Sequence, residues 1–177
     1  MSRDATRASK HLSLVLRHDP GAIGIAMDGA GWVSVDELIR LSPHIASREQ
    51  LDEIVAANAK KRFAYSEDRS RIRASQGHSV SIDLALDQLD PPTTLYHGTA
   101  TKVLDTILAE GLRPMTRLHV HLSADRETAR TVGARHGKPV VLLVDAARMA
   151  TDGVAFFRSA NGVWLVDRVP PEYLSEA

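Results

Sequence analysis

The sequence predicts an α+β protein built from two lobes. Up to residue 90, helical patterns are followed by a single hairpin pattern. From residue 91 onward, short strand patterns alternate with helical patterns and end in a second hairpin. Between the two regions, Pro91-Pro92 and two threonines interrupt regular structure near residues 88–93. We therefore expect lobes over residues 1–90 and 91–177.

The N-terminal lobe is predicted to contain three helices and a hairpin. The first helix ends at Asp19-Pro20-Gly21, and Ser34 with Glu37 forms a capping box at the start of the second. Between them, GIAMDGAGWVSV predicts two short extended segments around a glycine turn. A third helix covers about residues 47–59, and RFAYSEDRSRIRA then predicts strand, polar turn and strand. The apolar residues at helical spacing are Leu12, Val15, Leu16, Leu51, Ile54 and Val55. Helices followed by a two-stranded wing indicate a winged-helix lobe, although that fold alone does not establish a function.

The C-terminal lobe is predicted to mix short strands with helices. TTLYHGT, LHVHLSA and PVVLLVDAA are strand patterns, and DRETARTVGARHG is a helical pattern. A further helix in ATKVLDTILAEG ends at Gly111. VAFFRSANGVWLVDRVP predicts a hairpin with its turn at Ala160-Asn161-Gly162. The lobe lacks GxGxxG, which argues against dinucleotide binding of the Rossmann type.

The composition limits the classes of function. With 22 basic and 22 acidic residues the net charge is zero, which counts against a protein that grips long nucleic acid by bulk electrostatics. Residues 60–73 are locally basic, and the simplest interpretation of that run is a solvated hairpin face. The absence of cysteine excludes disulfides, thiolate nucleophiles and cysteine zinc sites. A polar N-terminus and the lack of a long apolar run predict a cytoplasmic protein without a membrane segment.

Two groups of residues in the N-terminal lobe are candidate anion-binding sites. Arg17-His18 at the end of the first helix either interacts with the helix dipole or binds a phosphate through guanidinium and imidazole. Arg62 opens the hairpin, and the polar donors that follow either face a ligand or form an ordinary connection. These downstream residues are Arg71, Arg73, Gln76, Gly77, His78 and Ser79.

Three further groups lie in the C-terminal lobe. His97-Gly98-Thr99 at a strand end either allows a ligand to approach closely or is a turn in which Thr99 caps the next helix. Arg158 either extends from the core past aromatic residues or contacts a phosphate. The residues expected to alternate onto one polar strand face are Arg117, His119, His121 and Ser123. A metal site is disfavoured there because suitably spaced carboxylates are not evident, so we favour an anion or nucleotide site.

Eight collinear segments resemble the RNA (tRNA) 2′-phosphotransferase family, whose members are NAD-dependent. The segments are SKHLSLVLRH, GWVSVDELI, KRF, RASQGHS, LYHGT, GL-P-M-R-HVHLS, FRSANGVWL and VPPEYL. They extend from about residue 9 to residue 174. Any one of them is weak evidence, whereas eight in the same order are specific.

The resemblance implies an N-terminal winged-helix RNA-binding lobe and a C-terminal ADP-ribosyltransferase-like lobe that binds NAD. The implied catalytic residues are Arg17, His18, Arg62 and Arg117. The implied NAD contacts are His97, Gly98, Thr99, His121, Ser123 and Arg158, with His121 packed on nicotinamide. The expected RNA contacts are Arg71, Arg73, Gln76 and His78. Related protein-modifying transferases often have a late-strand glutamate, but Asn161-Gly162-Val163 contains no acid, which argues against protein ADP-ribosylation.

The implied reaction removes an internal 2′-phosphate from a tRNA-like RNA, as in tRNA processing. That phosphate attacks the anomeric carbon of the nicotinamide ribose, and the ribose 2″-hydroxyl then attacks phosphorus, which gives ADP-ribose 1″,2″-cyclic phosphate. The expected enzyme is a monomer that needs no metal. Two rivals stay open: a transferase that caps terminal phosphates of RNA or DNA, and a non-catalytic winged-helix regulator that senses NAD.

Overall fold

The computed structural model describes residues 3–177. The chain forms two compact units, Met1–Ala85 and Leu86–Ala177, which we call the N-terminal and C-terminal units. Both units combine helices with small antiparallel sheets, so the protein is of the α+β class. Over the part of the chain that the structure describes, no helix has both the length and the apolar content needed to cross a membrane.

The N-terminal unit consists of three helices and a three-stranded sheet. Its elements are α1 (Arg3–Arg17), β1 (Val33–Ser34), α2 (Val35–Leu41), α3 (Arg48–Ala56), β2 (Phe63–Tyr65) and β3 (Arg71–Ala74). The sheet has the order β1–β3–β2, with Val33 opposite Ile72 and Phe63 opposite Ala74. The three predicted helices and the predicted hairpin are therefore confirmed.

Local signals explain where these helices begin and end. Helix α1 stops at Arg17, and a short 3₁₀ turn over Pro20–Ile23 follows, capped by the Asp19 side chain. The Ser34 hydroxyl accepts a hydrogen bond from the Glu37 amide at 3.4 Å, as the predicted cap requires. Helix α3 begins at Arg48, as expected, but ends at Ala56 rather than near residue 59.

One predicted element of the N-terminal unit is wrong. Of the two extended segments expected in GIAMDGAGWVSV, only Val33–Ser34 is a strand. The Asp28 carboxylate accepts hydrogen bonds from the amides of Ala30 and Trp32, both at 2.9 Å. These bonds close the predicted glycine turn, and residues 25–28 before it form no strand.

The core of the N-terminal unit forms between the helices and the sheet. Its largest fully buried side chains are Leu12, Leu16, Leu38, Ile45, Leu51 and Ile72. Val55, predicted on the same helical face as Leu51, packs against this core but is only partly buried. Burial of each such aliphatic side chain contributes roughly 1.5–3 kcal/mol relative to exposure.

The C-terminal unit contains two antiparallel three-stranded sheets. Its elements are β4 (Thr94–Ala100), α4 (Leu104–Glu110), β5 (Val120–Leu122), α5 (Arg126–Gly133), β6 (Pro139–Asp145), α6 (Ala146–Thr151), β7 (Phe157–Arg158), β8 (Trp164–Val166) and β9 (Leu174–Glu176). One sheet has the order β4–β6–β9 and the other β5–β8–β7. All five predicted strands and both predicted helices are present, with the β7–β8 turn where it was expected.

Two elements of this unit were not predicted. Ala146 and Ala147, expected to extend β6, instead begin helix α6, because the Asp145 side chain caps it by accepting from the Arg148 amide at 3.1 Å. The C-terminal segment Leu174–Glu176 forms β9 by pairing with β6.

Helix α5 packs directly on strand β4 at two glycines. A Cβ atom on Gly98 would lie 1.6 Å from the carbonyl oxygen of Ala129. A Cβ atom on Gly133 would lie 2.7 Å from the carbonyl oxygen of Thr99. Any side chain at either position would overlap backbone atoms, so the two glycines determine how closely α5 approaches β4.

Candidate active site

The C-terminal end of α1 meets the segment that follows β3. The amides of Ser79 and Val80 both donate to the carbonyl oxygen of Arg17, at 2.9 and 3.4 Å. The Ser79 hydroxyl lies 2.9 Å from Nδ1 of His18. Two sequence-predicted segments, LRH and QGHS, are therefore adjacent. We call Arg17, His18, His78 and Ser79 the helix-end cluster.

Arg17 is held against the sheet of the same unit. Its Nε and Nη2 atoms are buried, and its guanidinium carbon lies 6.0 Å from the centroid of the Phe63 ring. Phe63 follows Arg62 directly, and the carbonyl oxygen of Arg62 accepts a hydrogen bond from the Ser75 amide at 2.8 Å. The Arg62 backbone therefore lies at the same end of the hairpin as the segment leading to the helix-end cluster, and its side chain is half-buried.

His78 is the most unusual member of the helix-end cluster. Its side chain is 2% exposed, and neither ring nitrogen has a hydrogen-bond partner within residues 3–177. Burial, assisted by the positive charges of Arg17, His18 and Arg73, lowers the pKa of His78 to about 4. The imidazole is therefore neutral at pH 7 and adds no cation to the cluster.

The two hairpin arginines that are predicted to contact RNA, Arg71 and Arg73, pack on an aromatic ring. The guanidinium carbons of Arg73 and Arg71 lie 4.4 and 5.5 Å from the Trp32 ring centroid. Arg71 also forms an ion pair with Asp28 at 3.3 Å, and Arg73 donates to the carbonyl oxygen of Ala30 at 3.3 Å. Sequence reasoning missed Trp32, although Arg71 and Arg73 share one strand face and an aromatic partner for them is a common arrangement.

Gln76 and His78 differ in accessibility. Gln76 is half-buried in the bend after β3, whereas the ring nitrogens of His78 are closed to solvent. A Cβ atom built on Gly31 would lie 3.5 Å from Nε2 of His78, so the Gly31 turn covers one edge of the ring. Direct RNA contact by His78 would need this turn to move.

In the C-terminal unit, strand β4 places His97 beside β5. Tyr96 and Ser123 exchange two backbone hydrogen bonds, at 2.8 and 2.9 Å, which join the two strands. The adjacent His97 ring donates from Nδ1 to the carbonyl oxygen of His121 at 3.1 Å. Burial lowers the pKa of His97, with help from the positive charges of Arg117 and His136. A neutral His97 with Nδ1 protonated keeps Nε2 as a hydrogen-bond acceptor.

Gly98 and Thr99 have structural roles in this unit. The space that a side chain at Gly98 would fill is occupied by the Ala129 carbonyl of α5, so packing alone explains the glycine. Thr99 is 7% exposed within β4 and does not cap the following 3₁₀ turn, whose N-cap is Ala100. The capping interpretation of Thr99 is therefore wrong, and the nucleotide contact expected of these residues stays a prediction.

Arg117 and His121 form a close pair. Nη1 of Arg117 donates to Nδ1 of His121 at 2.8 Å, which fixes the His121 tautomer with its proton on Nε2. Arg117 itself precedes β5 in a bend, and only Val120–Leu122 is strand. The polar strand face expected from Arg117 to Ser123 is therefore shorter than predicted, although the Arg117–His121 contact holds its first part together.

His119 and Arg158 contact residues other than the Arg117–His121 pair. His119 is 3.9 Å from the Asp167 carboxylate, and its ring centroid is 6.2 Å from that of Phe157. Arg158 is exposed, with its guanidinium carbon 5.7 Å from the Trp164 ring centroid. The contact with Trp164 is consistent with an arginine that extends past aromatic residues, as one interpretation of Arg158 in the sequence predicted. Among residues 3–177 no group of three or more His, Asp or Glu side chains is arranged to hold a metal.

Comparisons with known proteins agree on one family. The model of the family described as "RNA 2'-phosphotransferase, Tpt1 / KptA family" matches residues 2–168. A probable RNA 2′-phosphotransferase of Hahella chejuensis is 52% identical over 99% of this chain and 96% of its own length. Proteins of the same name from Agrobacterium fabrum and Nostoc punctiforme are 54% and 52% identical, over 97% and 96% of this chain and 94% and 96% of their own lengths.

These matches cover both units. Identity above 50% along nearly the whole of each aligned partner is far beyond what two unrelated sequences share. The chain belongs to the RNA 2′-phosphotransferase, Tpt1/KptA family and is an enzyme of the transferase class.

Proposed function

We propose that this enzyme is an NAD-dependent RNA 2′-phosphotransferase. It moves an internal RNA 2′-phosphate to NAD through an ADP-ribosylated RNA phosphate, and it releases 2′-hydroxyl RNA, nicotinamide and ADP-ribose 1″,2″-cyclic phosphate. The observation on which this rests is the match to named RNA 2′-phosphotransferases along nearly the full chain. The contacts within each unit support the roles given to individual residues below.

The architecture of each unit supports the expected lobes. Helix α1, strand β1, helices α2 and α3 and the hairpin β2–β3, with sheet order β1–β3–β2, are what a winged-helix lobe requires. The two small antiparallel sheets of the C-terminal unit suit an ADP-ribosyltransferase-like lobe. We assign RNA binding to residues 1–90 and NAD binding to residues 91–177.

In the N-terminal unit, we assign Arg17 and Arg62 to binding of the 2′-phosphate. His18 contacts the same phosphate or protonates the leaving RNA oxygen. The hydrogen bond between Ser79 and Nδ1 of His18 supports this role, because it orients the ring and leaves Nε2 for the substrate. Arg71, Arg73, Gln76 and His78 remain predicted RNA contacts, and for His78 the burial favours an indirect role.

In the C-terminal unit, we assign Arg117 to the phosphate and the residues around His97 and His121 to NAD. A dinucleotide offers ribose hydroxyls and an anionic pyrophosphate, and the side chains here fit such a ligand. Nε2 of neutral His97 can accept from a hydroxyl, and the His121 ring, held by Arg117, presents its face and its Nε2–H. Gly98, Thr99, Ser123 and Arg158 complete the set of predicted NAD contacts.

Arginines suit this chemistry better than carboxylates do. When bound, NAD supplies an electrophilic anomeric carbon and a good leaving group, nicotinamide. Negative charge stays on phosphate oxygens throughout, so positioned guanidinium groups stabilise it by charge-assisted hydrogen bonds. The hairpin turn at Asn161-Gly162-Val163 has no carboxylate that would activate a protein nucleophile. We further propose a tRNA-like substrate, a monomeric, metal-independent enzyme and a cytoplasmic location.

One incubation tests the proposal. The purified protein is mixed with NAD and a short RNA that has a single internal 2′-phosphate, and the products are analysed by mass spectrometry. The proposal requires that the RNA loses its phosphate and that cyclic-phosphorylated ADP-ribose appears. Stable ADP-ribose on end-phosphorylated RNA, with the internal 2′-phosphate untouched, would establish the capping rival instead. If neither RNA causes release of nicotinamide, the result supports the second rival, a non-catalytic winged-helix regulator that senses NAD.

A further inference from the structure

The exposed face of helix α5 and the loop after it is basic. Ala129 and Gly133 point toward β4, which turns the remaining residues outward. The exposed cationic side chains over this stretch are Arg126, Arg130, Arg135 and Lys138, together with the imidazole of His136. Only Asp125 and Glu127 oppose them, both at the N-terminal end of the helix. The chain as a whole is neutral, so this face concentrates positive charge locally.

Most of these cationic side chains form no hydrogen bond or ion pair within the part of the chain that the structure describes. Arg126 donates to the carbonyl oxygen of Ala177 at 2.7 Å. The side chains of Arg130, Arg135 and Lys138, by contrast, form no hydrogen bond or ion pair with any residue from 3 to 177. Most arginines elsewhere in the chain pair with a carboxylate or stack on an aromatic ring, as Arg148 does with Asp152 and Tyr173.

A structural explanation accounts for only part of this pattern. Cations in the last turn stabilise a helix through its dipole, which explains Arg130. Arg135 and Lys138 lie beyond the end of the helix at Gly133, where that effect fades. The helix dipole therefore does not explain why Arg135 and Lys138 are cationic.

The basic face lies next to the predicted NAD strand. The Gly98–Ala129 and Gly133–Thr99 contacts place α5 directly on the strand that contains His97. The loop after the helix is close enough for the charge of His136 to lower the pKa of His97. A polyanion that extends beyond the reacting nucleotide would therefore have a cationic surface beside it.

We propose that the exposed face of α5 and its following loop, with Arg130, Arg135 and Lys138 as its main contacts, binds the phosphate backbone of RNA flanking the reacting nucleotide. The inference rests on the proposed function and adds a preference for RNA longer than the reacting nucleotide. Because phosphate contacts are electrostatic, the face contributes affinity without sequence preference, and the contribution weakens with salt.

The test uses the double variant Arg130→Ala/Arg135→Ala of the full-length protein. The matched control is Arg113→Ala/Arg168→Ala, which removes the same charge from two exposed arginines next to the antiparallel Leu112–Val169 bridge. Binding is followed by the fluorescence anisotropy of a labelled RNA of roughly twenty nucleotides without a 2′-phosphate, over a range of salt concentrations. Turnover with NAD is measured in parallel on a trinucleotide that has an internal 2′-phosphate.

We expect the α5 variant to bind the long RNA about tenfold more weakly at moderate salt. The slope of log affinity against log salt should fall by about 1.4, the value for two lost single-strand phosphate contacts. The control should bind within twofold of the parent protein. Equal weakening in both variants, or none in the α5 variant, overturns the inference. Because anisotropy requires no turnover, failure of the parent on the trinucleotide would instead count against the proposed function.

Discussion

Replacing Gly98 by alanine separates two explanations of the HGT segment. If glycine is needed so that a nucleotide can approach the backbone, alanine should abolish NAD binding and leave the fold stable. If glycine is needed for helix packing, alanine should destabilise the C-terminal unit. The structure favours packing, because the added methyl carbon would lie 1.6 Å from the Ala129 carbonyl oxygen and 2.4 Å from its carbon.

The size of the effect follows from what must move. Carbon and oxygen atoms that are not bonded rarely approach within 3 Å, so α5 has to shift by more than an ångström, and the atoms in the way are backbone. Overpacked core substitutions typically cost about 1–3 kcal/mol, and a rigid neighbour places Gly98→Ala at the upper end, about 3 kcal/mol. For a unit of the size of Leu86–Ala177, that corresponds to a decrease in the Tm of the C-terminal unit of about 12–24 °C.

The chain offers a clean assay because it has two tryptophans, one in each unit. Trp32 belongs to the N-terminal unit and Trp164 to the C-terminal unit. In a Trp32→Phe background, fluorescence during urea titration reports on the C-terminal unit alone, which avoids treating two units as one transition. Gly29→Ala is the matched control, because a Cβ atom there meets nothing within 4 Å.

A free energy of unfolding for Gly98→Ala within 0.5 kcal/mol of the parent would refute the packing argument. If that variant also lost NAD binding, measured by calorimetry, the role of Gly98 would be contact with the nucleotide. A large loss of stability in the Gly29→Ala control would show instead that the assay does not isolate the C-terminal unit.

Four other changes test the candidate site. Arg17→Ala should lower kcat at least a hundredfold with an unchanged circular dichroism spectrum, and activity retained within tenfold would rule out its assigned role. Ser79→Ala removes the hydrogen bond to His18 and should lower kcat/KM about fivefold without changing Tm; an unchanged kcat/KM would show that the bond does not orient the ring. Arg117→Lys keeps the charge but loses the planar donor, so kcat should fall on the order of a hundredfold, whereas full activity would mean that charge alone suffices. Burial keeps the folded pKa of His78, at about 4, below its unfolded value of 6.5, so the unfolded chain binds the proton first as the pH falls. The free energy of unfolding of the N-terminal unit should therefore fall by up to about 3 kcal/mol between pH 6.5 and 4, and urea titration of His78→Gln should lack that part of the slope.

Local signals in the sequence were sufficient for most elements of the fold. The helix start at Ser34 and the turn near Asn161 depend on hydrogen bonds between residues close in sequence, so spacing alone identifies them. One error arose where a side chain redirected the backbone, because Asp145 ends strand β6 and caps helix α6. The other concerns the segment before the glycine turn, which forms no strand although Asp28 closes the turn itself as predicted.

The candidate site was predictable in composition but not in arrangement. The sequence identified the segments around Arg17 and His78, yet the hydrogen bonds that join them span about sixty residues and no periodicity reveals such contacts. The burial of His78 could not be predicted from the sequence either. Gln-Gly-His-Ser is a polar stretch, and polar stretches are usually exposed, but the structure closes His78 beneath the Gly31 turn.

The burial of His78 bears on how a neutral chain can bind a phosphate. An accessible histidine at this position would be partly protonated near its ordinary pKa, and its charge would repel Arg17 and His18. Closing the ring away from water makes the protonated form unfavourable, so the positive charge of the cluster stays on the groups that can reach a ligand. An anion that binds there then meets the Arg17 guanidinium beside the Phe63 ring and the His18 ring beside the Ser79 hydroxyl. The cluster can therefore attract one phosphate strongly although the whole protein has no net charge.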